Sequence, residues 1–194
     1  MQHRPRISIF LIALCAGLAP QRVASSERFA SFAGFKLWTN TLGEVQRALG
    51  PTPSSSASGP ASSQSGLCYR SQGAFVTFYS GEKSAGTNLQ VVAISKAAPH
   101  DTECSEPKDG DRLKSLEIEG LKLGMTRAEW RAAAPAGLSW NKKKGSASKP
   151  ASAGYGAVAA SKPAKPTSNV VTSIGAEFEM GRVVMFYVSR YEEQ

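Results

Sequence analysis

Few side chains in this sequence could carry chemistry. Of three cysteines and two histidines, His3 and Cys15 fall in an N-terminal stretch that reads as a removable leader, which leaves Cys68, Cys104 and His100. A histidine with no second base at hand is a poor start for a Ser-His-Asp relay. Two thiols and one imidazole also fall short of the four ligands of a structural zinc shell. Cys68 and Cys104 are therefore expected to pair as a disulfide, in a compartment where such bonds persist. Closing that loop is worth about 3–4 kcal/mol by the chain-entropy argument. Glu177 and Glu179 alternate with Ala176, Phe178 and Met180, so both carboxylates project from one strand face. That is the pattern of a solvated face, whereas an acid/base pair needs two carboxyls in distinct environments. Asp109-Gly-Asp111 lacks the further ligands and terminal Glu of a calcium loop, and no glycine-rich phosphate loop follows a strand. The sequence predicts no catalytic residue, cofactor or metal, and so no enzyme.

The leader has the order of an export signal. Arg4 and Arg6 precede an apolar run from Ile7 to Leu18, and small residues follow around Val23, Ala24, Ser25 and Ser26. About 12 apolar residues are too few to cross a hydrocarbon core that takes about 20. The expectation is a signal peptide over residues 1–25, cut after Ser25 or at nearby Ala19 or Ser26. Leu14 stands before Cys15, where lipid-anchor processing wants a small residue, so a soluble periplasmic or secreted protein is expected rather than a lipoprotein. Loss of Arg4, Arg6 and Arg22 lowers the formal charge from +8 to about +5.

Much of the remaining positive charge lies in one stretch. Lys142, Lys143, Lys144 and Lys149, then Lys162 and Lys165, are set among Ala, Ser, Pro and Gly without an acidic residue. Such a composition buries too little apolar surface to offset its ordering entropy. A flexible basic loop over 141–169 is expected, with Lys142, Lys143, Lys144 and Lys149 as candidate contacts for an anionic lipid, glycan or acidic protein. Nucleic acid is not expected of an exported protein in which only Tyr155 interleaves with those lysines.

The elements that would position any site follow from periodicity. Ala74 to Tyr79 and Leu89 to Ser95 read as strands, Ile174 to Met180 alternates and then turns at Gly181 and Arg182 into a second strand, and Leu67–Arg70 and Tyr155–Ala160 are weaker strand candidates. Pro51 to Ser65 and Asn141 to Ser152, with 161–169, are low-complexity connections. Thr41-Leu-Gly-Glu44 and Thr126-Arg-Ala-Glu129 are two capping boxes, in which the threonine hydroxyl accepts from the third amide on and the glutamate reaches back to the threonine amide. The first helix should stop at Gly50 and Pro51, the second at Pro135. Gly34-Phe-Lys-Leu37 approaches the first box and Gly120-Leu-Lys-Leu123 the second. This is an internal repeat of about 85 residues, too long for a solenoid unit and suited to a duplicated helix-plus-sheet half.

Gly124-Met-Thr126-Arg-Ala-Glu129-Trp130 resembles the start of the SmpA/OmlA-type motif, carried by BamE-like outer-membrane assembly lipoproteins, whose architecture is shared with the β-lactamase inhibitor proteins. Leu49-Gly-Pro-Thr-Pro53 resembles the end of the same motif. The first half has Trp38-Thr-Asn40 in place of Gly-Met, and the second has Ala134-Pro-Ala136 in place of Leu-Gly. The resemblance implies an α+β fold of two tandem halves, over residues 26–100 and 101–194, each laying a helix or helix pair on three or four antiparallel strands. It also implies protein binding through the sheet face, and it transfers no catalytic or ligand residue.

Aromatic residues are the better clue to binding. Phe186 and Tyr187 are adjacent in a strand and must point to opposite sides. Trp38, Trp130 and Trp140 lie near the helices and read as core. Tyr79, Tyr187 and Tyr191 are the candidate protein-binding patch. Three functions stay open at this point: a non-catalytic interaction module or inhibitor of the cell envelope, a basic module for anionic lipid or glycan, and a small extracytoplasmic hydrolase.

Overall fold

The computed structural model describes residues 28–59, 62–81, 88–100, 102–134, 139–142, 155–160 and 169–193. The leader and most of the basic loop lie outside the described residues. The chain is mixed α and β. A two-residue-strand hairpin, β1 (Ser31–Phe32) and β2 (Phe35–Lys36), leads into helix α1 (Leu42–Leu49) and then four strands: β3 (Ser54–Gly59), β4 (Ser62–Ser71), β5 (Ala74–Gly81) and β6 (Leu89–Ser95). A connector with a short 3-10 turn at Gly110–Leu113 leads into a second small hairpin, β7 (Glu117–Ile118) and β8 (Leu121–Lys122), and helix α2 (Arg127–Ala133). Four further strands follow: β9 (Ser139–Lys142), β10 (Tyr155–Ala160), β11 (Asn169–Glu179) and β12 (Arg182–Glu193).

The eight long strands form one antiparallel sheet in the order β3-β4-β5-β6-β12-β11-β10-β9. The sheet is continuous across its centre, where β6 and β12 pair with Ala93 opposite Tyr187 and Val92 opposite Val188. Four tight hairpins rest on a residue-glycine pair with both φ positive: Ala33-Gly34, Gln72-Gly73, Glu119-Gly120 and Met180-Gly181. Positive φ at both central positions gives the turn whose twist matches paired strands, and glycine takes the second without a Cβ clash. The last turn therefore sits at Met180-Gly181, and Arg182, expected in the turn, already belongs to β12.

Both helices start on complete capping boxes. The Glu44 amide donates to Thr41 Oγ1 at 3.2 Å, and the Thr41 amide donates back to Glu44 Oε2 at 2.7 Å. At α2 the corresponding distances are 3.3 and 2.7 Å. Each helix entry also pairs with the start of a central strand: Trp38 N–H donates to the Leu89 carbonyl at 2.6 Å, and Gly124 N–H to the Val183 carbonyl at 2.8 Å.

Alternation along the strands delivers one apolar face to the helices. Val45 and Leu49 of α1 and Trp130 of α2 join Leu67, Tyr69, Val76, Phe78, Val92, Ile94, Ile174, Phe178, Phe186 and Val188 in one buried cluster. Phe78 is the hub on one side, with Phe32, Phe35 and Tyr69 rings at 5.7–6.2 Å. Trp130 is the hub on the other, edge-on to Phe178 at 6.5 Å and Phe186 at 5.4 Å. The two small hairpins supply Phe32, Phe35, Ile118 and Leu121 to the same cluster.

Two sequence expectations are corrected here. The Ser- and Ala-rich stretch from Pro51 to Ser65 is not simply a connection: it holds β3 and the beginning of β4, in register from Ser54–Leu67 to Gly59–Ser62. Backbone pairing satisfies the amides and carbonyls on its β4 side, a gain that needs no apolar side chain. Trp38, expected in the core, is only half-buried and is not among the side chains packed on the cluster, unlike Trp130 at 1 % exposure.

The disulfide Cys68–Cys104 is present, with a Cα–Cα distance of 4.6 Å. Cys68 is on the strand face away from the helices, whereas Leu113 further along the connector is in the core. Between them Ser105 pairs alongside β4, accepting from Arg70 N–H at 2.8 Å and donating to the Cys68 carbonyl at 3.2 Å. The connector thus passes round the sheet next to β4, and the disulfide fixes the crossing.

Candidate protein-binding face

The face of the sheet opposite the helices is built in rows set by strand register. The central row runs Cys68, Thr77, Ala93, Tyr187, Gly175 across β4, β5, β6, β12 and β11. One row on one side runs Gly66, Tyr79, Val91, Ser189, Ser173, and on the other Arg70, Phe75, Ser95, Met185, Glu177. Cys68, bonded to Cys104 of the connector, and Thr77 are buried. Phe75, Tyr79, Val91, Ala93, Met185 and Tyr187 are half-buried.

Two glycines seat the two tyrosines. A Cβ at Gly66 would stand 2.8 Å from Cδ1 and Cε1 of Tyr79, and one at Gly175 would stand 2.3–2.6 Å from Cε1, Cζ and Oη of Tyr187. Glycine in a strand interior commonly marks such close approach. Tyr79 leans outward from β5 onto β4, and Tyr187 leans outward from β12 onto β11. Their strands lie two apart, about 10 Å at the usual spacing. Register places the smaller side chains Val91, Ala93 and Ser189 between them. The two tyrosines thus flank a strip of smaller side chains, the trough, with charge at its margin: Arg70 Nε to Glu106 Oε1 at 2.7 Å near β4, and Glu177 exposed on β11.

Other expected site residues sit elsewhere. Tyr191 is in β12, with its backbone opposite Val171; its side chain lies outside the described residues. Lys142 ends β9, while Lys143, Lys144 and Lys149 are outside the described residues. His100 is exposed, and among the described residues no group of three or more His, Cys, Asp or Glu could hold a metal. Glu177 and Glu179 are exposed. Glu44 and Glu129 are committed to their caps, where hydrogen bonds from the Thr41 and Thr126 amides hold each carboxyl below its usual value. Sequence reasoning missed Gly66, Gly175, Val91 and Met185. The sequence shows a glycine interrupting each strand, but that each stands opposite a tyrosine emerges only with the register.

No family model matches the chain, and no curated protein matches it significantly. Among solved structures it is similar to a candidate β-lactamase inhibitor protein from Streptococcus mutans. The identity is 12 %, over 80 % of this chain and 83 % of that one, with a TM-score of 0.26. These matches give no support to the SmpA/OmlA-type family in particular. What the chain can do follows from its own geometry.

Proposed function

We propose that this chain is an exported, non-catalytic protein-interaction module, an inhibitor or assembly factor of the cell envelope, that docks another envelope or secreted protein on its open sheet face. The observation that carries this reading is the trough itself: two tyrosines seated on glycines, flanking small residues, on the face opposite the two helices. Rigid aromatic anchors beside a water-excluding surface are the usual source of interface energy. A disulfide favours an oxidising compartment, and no helix among the described residues is long and apolar enough to cross a membrane; the leader supplies the route of export. The element order hairpin, helix, four strands, occurring twice, supports two tandem halves, over 26–100 and 101–194, that share one sheet.

The test is photo-crosslinking in living cells from position 187, with position 36 on the opposite side as control. One recurrent adduct at 187 that is absent at 36, and weakened by Tyr79→Ala, is expected. No reproducible adduct at 187, or the same adducts at both positions, would overturn the reading.

A further inference from the structure

A groove opens at the end of the sheet, away from the aromatic trough. It is lined by Gln72, Gly73 and Ala74 at the β4–β5 turn, Lys96 just after β6, and Leu116, Lys122 and Leu123 around the second small hairpin, and it encloses about 580 Å³. Leu116 and Leu123 pack on the hydrophobic cluster and Ala74 is buried, so the floor is apolar. The walls are fixed: Gln72 Nε2 donates to the Lys114 carbonyl at 2.6 Å, Ser71 Oγ to the Leu113 carbonyl at 3.0 Å, and Lys96 N–H to the Val184 carbonyl at 2.9 Å.

Among the described residues, no carboxylate lines the groove. Those nearby have other work. Asp109 pairs with Arg112 at 3.1 Å, Asp111 with Lys114 at 4.0 Å, Glu119 with Arg28 at 3.1 Å, and Glu129 closes the α2 cap while feeling the Lys122 charge. Glu117 stands opposite Lys122 across the small hairpin but forms no ion pair with it within 4.0 Å. Lys96 and Lys122 are both exposed. They bring two ammonium groups, donors with no acceptor capacity, to an apolar floor.

We propose that this groove takes a short acidic segment of a partner polypeptide, with carboxylates on Lys96 and Lys122 and an apolar side chain over Leu116 and Leu123. The volume is within the range of ligand clefts, about 300–1,000 Å³, and suits a few extended residues rather than a domain face. The net positive charge, about +5 once Arg4, Arg6 and Arg22 leave with the leader, draws acidic chains toward it. The groove shares no residue with the trough, so the two readings fail separately.

The experiment is a titration of the isotope-labelled full chain, followed by amide NMR, with acetyl-Asp-Leu-Glu-Leu-amide. Arms with the Asn/Gln version of the peptide and with inorganic phosphate run in parallel. Saturating shifts confined to Gly73, Ala74, Lys96 and Lys122 are expected. Affinity should fall at least tenfold in the Lys96→Glu/Lys122→Glu double variant and stay unchanged in Lys36→Glu, and it should weaken with salt as screened ion pairs do. Both substituted sites are exposed, and an unchanged spectrum elsewhere verifies the fold. Equal binding of the amide peptide would overturn the proposal. So would equal loss in Lys36→Glu, an unaffected double variant, or phosphate that reproduces the saturating shifts and displaces the peptide.

Discussion

Replacing Gly175 by alanine tests how the open face is built. A methyl there would lie 2.3, 2.4 and 2.6 Å from three atoms of the Tyr187 ring, whereas carbon atoms settle at about 3.5–4.0 Å. The ring must retreat by about 1 Å or more, which strips it from β11. If roughly 60 Å² of ring surface loses its cover, the cost is about 1.5 kcal/mol. Alanine in a strand gains about 0.5–1 kcal/mol over glycine, so the net loss should be about 0.5–1 kcal/mol. The decisive variant is the same substitution in a Tyr187→Ala background. With the ring gone, Gly175→Ala should stabilise by about 0.5–1 kcal/mol; that gain is common to both backgrounds, so the coupling should be about 1.5 kcal/mol in a double-mutant cycle read from urea midpoints at constant m. A coupling below about 0.5 kcal/mol, the usual scatter for independent sites, would mean that Tyr187 is not seated on Gly175, and the trough would lose one bank.

Three further outcomes are expected. Cys68→Ser with Cys104→Ser, or reduction of the native bond, should cost about 3–4 kcal/mol in urea unfolding, with amide exchange rising first around Ser105 as the connector loosens; unchanged midpoints would refute the staple. Thr41→Ala and Thr126→Ala should each cost about 1 kcal/mol. Because the Glu44 and Glu129 carboxyls are held below the ordinary value near 4.5, their contribution is present above that pH and is lost as pH falls through the lower folded value; Glu44→Gln with Glu129→Gln should flatten the acid limb of midpoint against pH. Tyr69 donates to the Gly50 carbonyl at 2.8 Å from a buried position, and burial pushes its hydroxyl up to about 12. The unfolded chain then releases that proton first, near 10, so stability should drop as pH rises from about 10 to 12, and Tyr69→Phe should remove that share of the slope.

The parts of the fold that could be read in the sequence are those encoded by local chemistry. Thr41 and Glu44, or Thr126 and Glu129, meet within three residues, so a capping box announces itself. Alternation in Ala74–Tyr79, Leu89–Ser95 and Ile174–Met180 gives strands because each has one face to bury. Strand β3 carries no such pattern: its Ser, Ala and Gly side chains neither favour nor oppose pairing, and only the neighbouring backbone of β4 organises them. The early part of β11 differs, since Val170, Val171 and Thr172 favour a strand, but that it extends back to Asn169 is set by β12, which continues beside it to Glu193. Edge and extension strands are chosen by their partners, and partner choice is not local.

The candidate face was half-readable for the same reason. That Phe186 and Tyr187 must diverge follows from strand geometry, and the structure buries Phe186 while leaving Tyr187 half-covered. What no single strand could tell is which residue would lie under each ring, because Gly66 meets Tyr79 and Gly175 meets Tyr187 only after register is set. The two helix entries make a similar point in the backbone. Gly124 holds φ +82 where its amide reaches Val183, and at the matching place Trp38 holds φ +68 where its amide reaches Leu89. A left-handed tryptophan costs roughly 1–2 kcal/mol relative to the ordinary helical region, and its indole does not join the packed core. The sheet imposes that conformation through the Leu89 hydrogen bond, and the local sequence of the first entry, lacking glycine, does not announce it. Shape in this chain is therefore written locally wherever caps and turns decide it, and written by the sheet wherever one strand must accommodate another.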